Sequence, residues 1–122
     1  MNKIFIFITC MIISTAVAHA DIKVVGAGDA AAIDTSGYQS EMLKAHDLMM
    51  QKCTQCHSIE RIIAGIQTGV APITKTGFSK ETSKEIVVRM FLKPNSNMTR
   101  DEARVILQYL NFLLDQKMTA TK

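Results

Sequence analysis

Residues 40–57 read Ser-Glu-Met-Leu-Lys-Ala-His-Asp-Leu-Met-Met-Gln-Lys-Cys-Thr-Gln-Cys-His, a helical pattern that runs straight into two thiols and an imidazole. Met42, Leu43, His46, Met49, Met50 and Cys53 recur at helical spacing and make one face, which predicts a helix over residues 40–52. Cys53 and Cys56 form a Cys-x-x-Cys, and His57 follows at once. That motif is open to three chemistries: a redox-active dithiol, half of a zinc site, or covalent attachment of a haem. What surrounds it decides among them.

The chain has 122 residues, the length of one domain. Its start reads as an export signal. Asn2-Lys3 supplies the positive end, residues 4–17 are almost entirely apolar, and Ala18-His19-Ala20 gives the small-x-small pattern that predicts cleavage before Asp21. The apolar run falls short of the roughly 20 residues a membrane span needs, and no stop-transfer charges follow it. Thr9 is too large for the residue that precedes a lipid-modified cysteine, so Cys10 is read as part of the signal. The expected destination is the periplasm, with no stable membrane insertion after cleavage. Of the 3 cysteines only Cys53 and Cys56 then remain. An exported domain of this size ordinarily spends its cysteines on disulfides, but these two would close too small a loop to staple anything. The remaining chain is mildly basic with both signs interspersed. That excludes a nucleic-acid footprint and leaves room for an acidic docking partner.

Residues 21–38 are rich in Ala, Gly, Asp and Ser and read as a flexible leader, with one short packed piece at residues 22–25. The domain proper is expected over residues 39–118, with a tail at 119–122. Gly65, Gly69, Pro72 and Gly77 make residues 58–77 mostly loop, with a turn of helix after the motif. A second helix is expected over residues 79–92, capped by Ser79 or Thr82, with Ile86, Val87, Met90 and Phe91 on its apolar side and Pro94 stopping it. Asn95-Ser96-Asn97 makes the turn that follows. Thr99-Arg100-Asp101-Glu102 fits a capping box, because hydroxyl and carboxylate can each satisfy a backbone N–H at the helix start. Ala103, Ile106, Leu107, Leu110, Leu113 and Leu114 continue it as a buried stripe, and Lys117 closes it in accord with the helix dipole. The fold class is all-α, three to four helices whose small core a large buried cofactor would complete.

In this setting zinc lacks a second ligand pair, since His46 is the only other histidine left after cleavage. A redox dithiol lacks the alternating strands of a thioredoxin-like fold. Haem attachment suits the spacing. Thiols at i and i+3 reach the two vinyl groups on one porphyrin edge as thioethers, and the histidine next in sequence is carried over the haem face to bind iron. One covalently held haem c is the expected cofactor, with Cys53 and Cys56 attached and His57 on the iron.

A helix ending in Leu48-Met49-Met50-Gln51-Lys52, then Cys-x-x-Cys-His, a glycine-rich loop and a last helix carrying Tyr109 resembles a class I cytochrome c over residues 40–116. The resemblance implies that first and last helices cross with the haem wedged beneath, and places Leu48, Met49, Tyr109 and Leu110 at the crossing. It also implies a loop proline beside the axial histidine, a role Pro72 fills unless it is simply a loop proline. For the second axial ligand it leaves two residues. Met98 stands in the loop before the last helix, where class I cytochromes broadly keep their ligand, but it also precedes the cap Thr99, where an apolar residue packs as a staple. Met90 ends Ile86-Val87-Val88-Arg89-Met90, which looks like the x-Val-(Arg or Lys)-Met segment of short monohaem cytochromes. That branch includes the haem subunits of sulfite dehydrogenases and the reaction-centre cytochromes of green sulfur bacteria, and there the methionine binds iron. The branch's tryptophan is missing, with Ser83 near its place. Met90 is preferred and Met98 is the alternative. His46 is read as a core or surface residue. Arg61 and Arg89 flank the motifs, either to pair with a haem propionate or as solvated surface residues.

With His57 and a methionine on the iron there is no open position for substrate, and the expected activity is the carriage of single electrons between a protein donor and acceptor, such as a periplasmic dehydrogenase or a membrane oxidoreductase. No paired carboxylates, nucleophile triad or phosphate loop argue for an enzyme. The alternatives are a five-coordinate haem that binds or senses a small gas, or a haem subunit fixed in a larger oxidoreductase. Gas-binding four-helix cytochromes carry the motif near the C-terminus, whereas about 65 residues follow it here.

Overall fold

The helix expected at residues 40–52 runs over Ser40–Cys53 (α1) in a computed structural model, which describes residues 22–120 of the chain. The export signal expected over residues 1–20, with Cys10, lies outside the described residues, as do the last two residues of the expected tail. α1 buries Ala45 and Met49. It packs against the last helix, Arg100–Ala120 (α4). α4 begins with the expected capping box: the Thr99 N–H donates to Glu102 Oε2 at 2.7 Å and the Glu102 N–H to Thr99 Oγ1 at 3.2 Å. Its buried stripe is Ile106, Tyr109, Leu110, Leu113 and Leu114, while Ala103 and Leu107 are only partly covered. Burying side chains such as Ile106 and Leu113 stabilises by roughly 1.5–3 kcal/mol each.

Two contacts fix how α1 lies on α4. The Tyr109 hydroxyl is 2.9 Å from His46 Nδ1, and Lys52 Nζ is 3.2 Å from Glu102 Oε1. Met49 and Tyr109 are both fully buried there, with Leu110 nearly so and Leu48 half-buried. Burial holds the His46 imidazole below its ordinary value of 6.5, with Asp47 partly opposing. A depressed histidine value means that folding favours the neutral ring, so its contribution is complete above 6.5 and is lost as pH falls through the folded value. Acidification from about pH 7 to about pH 5 is therefore expected to lower the melting temperature, and His46→Gln to remove part of that slope. Equal slopes in the two proteins would assign the acid sensitivity elsewhere.

The second expected helix is Lys80–Phe91, which becomes α3 because an unexpected helix precedes it. The Ser79 N–H donates to Thr82 Oγ1 at 2.9 Å, so both candidate caps share the helix start. α3 packs on α4 through Ser83, which is fully buried with its Oγ 2.9 Å from both the Lys80 carbonyl and Asn111 Oδ1, and through the Lys80–Asp115 ion pair at 2.8 Å. Ser83 thus joins α3 to α4 through a small buried hydroxyl.

Two segments differ from expectation. Residues 58–77, read as mostly loop, contain a full helix at Ile59–Thr68 (α2). Ile59, Ile62, Ile63 and Ile66 give it a helical stripe, and Ser58 caps its start by accepting from the Arg61 N–H. The glycines serve this helix. Gly69 ends it in the left-handed region at φ 71°, its N–H returning to the Gly65 carbonyl at 2.9 Å. Gly65 sits inside it because a Cβ there would lie 3.3 Å from the Phe78 ring. The second correction concerns the leader. Val24–Val25 (β1) pairs antiparallel with Ala32–Ile33 (β2), so residues 22–33 fold as a hairpin rather than a flexible tether. Ile22, in the piece expected to pack, and Ile33 both enter the core, and β2 lies against α2. Tyr38 then seats its ring edge-on to Phe112, with centroids 5.1 Å apart. The described residues are thus four helices with a small two-stranded sheet, an all-α class.

Candidate functional site

α1 ends on Cys53, and the chain coils immediately beyond it. The Cys53 carbonyl accepts from the Cys56 N–H at 3.3 Å and the His57 N–H at 3.1 Å, holding the motif in one tight turn. Both thiols are free; Cys53 is half-buried and Cys56 exposed. His57 is half-buried beside them.

The turn opens onto a cavity of about 330 Å³, in the size range of small-molecule sites. All four helices contribute to its walls: Met49 and Cys53 from α1, Ile62 and Gly65 from α2, Ile86, Val87 and Met90 from α3, Ile106 and Leu110 from α4. Phe78 and Pro72 close it from the connection after α2, and Met98 borders it from the loop before α4. The lining is overwhelmingly apolar, with His57, Arg61 and Arg89 as its main polar members. Of the residues singled out from the sequence, Cys53, His57, Met90, Met98, Pro72, Arg61 and Arg89 border this one space. Cys56 lies just outside it on the exposed side of the turn, and His46 is turned away into its contact with Tyr109.

The two methionines differ in surroundings. Both border the cavity, Met90 from the last turn of α3 and Met98 from the loop before Thr99, where it also packs, partly buried, against the apolar core. The arginines differ too. Arg89 is engaged with Glu85 at 2.9 Å, while Arg61 forms no ion pair with a described residue. Burial pushes the Cys53 thiol up to about 11, so at neutral pH it is an un-ionised S–H. Dithiol exchange works through a thiolate, which makes Cys53 a poor redox nucleophile. Among the described residues no group of three or more His, Cys, Asp or Glu side chains is arranged to hold a metal ion by itself.

Phe78, Ile62, Val87 and Ile106 escaped the sequence reading as site residues. The isoleucine spacing of α2 is the available signal for Ile62, while Val87 and Ile106 show in the sequence only as apolar faces of their helices. Nothing local to Phe78 marks it, because its role comes from the missing side chain at Gly65. Comparison with family models, curated proteins and solved structures finds no match in any of the three.

Proposed function

We propose that this chain is an exported monohaem cytochrome c that carries single electrons between protein partners. The observation that supports this reading best is the apolar cavity directly beside Cys53-Thr54-Gln55-Cys56-His57, bordered also by two methionine side chains. The residues fit a haem. Cys53 and Cys56 would hold it by thioethers, each formed by adding a thiol S–H across a vinyl group. His57 would be one axial ligand and Met90 the other, with Met98, which borders the same cavity and also packs on the core, as the alternative. Arg61 and Arg89 stand where a propionate could be paired, and the arginine without a carboxylate partner suits that role better. Pro72 borders the same space from the loop.

When bound, the haem supplies a reversible one-electron change at its iron, tuned by the axial pair and by the dryness of its surroundings. The chain's own contribution is to exclude water with Ile62, Phe78, Val87 and Ile106, and with His57 and a methionine holding the iron no position would remain for substrate. The reading is therefore a carrier rather than an enzyme. The cytochrome c-like arrangement, α1 crossing α4 over the haem, is part of the same proposal. So is a periplasmic location, which rests on the export signal; no helix among the described residues is long and apolar enough to cross a membrane. Ile73 and Leu92 are exposed at 65% and 71% in the segments that border the site, and suit a protein donor or acceptor.

The test is the optical spectrum of the haem-matured protein, oxidised and reduced, with and without carbon monoxide. The reading expects low-spin iron with the weak far-red ferric band of sulfur ligation and no response to carbon monoxide. A high-spin spectrum that shifts sharply with the gas would replace it with a five-coordinate, gas-binding haem.

A further inference from the structure

Lys52 is the residue immediately before Cys53, and its side chain does not go to solvent. It is 14% exposed; its Nζ lies 3.2 Å from Glu102 Oε1, on a side chain 28% exposed, and donates to the Asn97 carbonyl. Glu102 is in turn held by the Thr99 N–H at 2.7 Å. Asn97 occupies the left-handed region at φ 47°, which asparagine tolerates better than most residues other than glycine, and this turns the chain toward Met98 and the cap of α4. The segment it ends is fastened at the other end as well: the Lys93 N–H returns to the Met90 carbonyl at 3.1 Å and Ser96 Oγ to the Phe91 carbonyl at 2.9 Å. The connector thus runs from Met90 to Met98 with both methionines on the cavity, and Lys52 pins its far end to α1, which ends on Cys53.

We propose that Lys52 is a positioning residue that ties the cysteine-bearing helix to the Met90–Met98 connector and so sets how firmly a methionine sulfur is held at the iron. This rests on the haem reading above. An exposed ion pair alone would contribute little, but this ammonium is largely covered and bridges a carbonyl and a carboxylate from two other segments. Cutting it frees the connector without altering any residue that borders the cavity.

The experiment compares haem-loaded, full-length proteins by carbon monoxide uptake after reduction and by reduction potential. Lys52→Gln is expected to take up the gas about tenfold faster than the parent, the size of effect from losing one firmly held polar tie, and to have a lower potential. Glu102→Gln, a second variant should the first fail to fold, moves both readouts the same way, and Lys52→Arg restores them. Thr99→Ala, which removes the capping hydroxyl but leaves Lys52 intact, is expected to lower the melting temperature alone. If Lys52→Gln and Glu102→Gln lower only the melting temperature, the bridge is merely structural and the proposal falls. If the parent protein itself takes up carbon monoxide as an open iron does, the methionine-ligated reading falls first, and the tie falls with it.

Discussion

Replacing both Cys53 and Cys56 with Ala is expected to reduce haem that survives on a denaturing gel to background. Coordination through His57 and a methionine is lost when the chain unfolds, whereas a thioether is a covalent bond and is not. The variant is expected to keep its helices. Cys56 is exposed and contributes no packing, and Cys53 is only half-buried at the end of α1, so removing the sulfurs leaves the α1–α4 contact intact. Circular dichroism of the variant beside the parent separates loss of attachment from loss of fold. Haem still bound after denaturation in the double variant would place the attachment elsewhere and defeat the assignment.

Replacing Met90 with Ala is expected to convert the iron from low-spin to high-spin or to a form that binds carbon monoxide. Met90 borders the cavity from the last turn of α3, and on the proposed ligation loss of its thioether would open one iron position while His57 would keep the other. Met98→Leu serves as the counterpart. Met98 borders the cavity and packs, partly buried, on the core ahead of Thr99, and a leucine of similar volume there costs below about 1.5 kcal/mol. Its spectrum is expected to match the parent's. An unchanged spectrum in Met90→Ala together with a high-spin Met98→Leu would exchange the two assignments.

What could be read from the sequence, and what could not, follows from how local each signal is. α1, α3 and α4 announce themselves because cap, stripe and stop lie within a single segment: Thr99 with Glu102, Ile106 with Leu113, Phe91 before Pro94. α2 was obscured by its glycines. Gly69 is a left-handed helix end and Gly65 a close approach to Phe78, and both roles exist only once α2 has met its neighbours. The hairpin was obscured for a different reason. Strands of two residues have no period to detect, and Ile22 and Ile33 are buried by partners far away in the chain. At the site, the Cys-x-x-Cys-His motif is local and legible. The cavity wall is not, because Ile62, Phe78, Val87 and Ile106 come from separate elements. The Lys52 contact with Asn97 spans 45 residues and has no counterpart in any sequence pattern.

The central claim is that one haem is covalently bonded through Cys53 and Cys56. Its most direct test is the intact mass of the denatured, cysteine-reduced protein after export from cells that carry out haem maturation. The account predicts the mass of the processed chain plus one haem. A mass equal to the polypeptide alone, from protein that was supplied with haem and the maturation machinery, would contradict it.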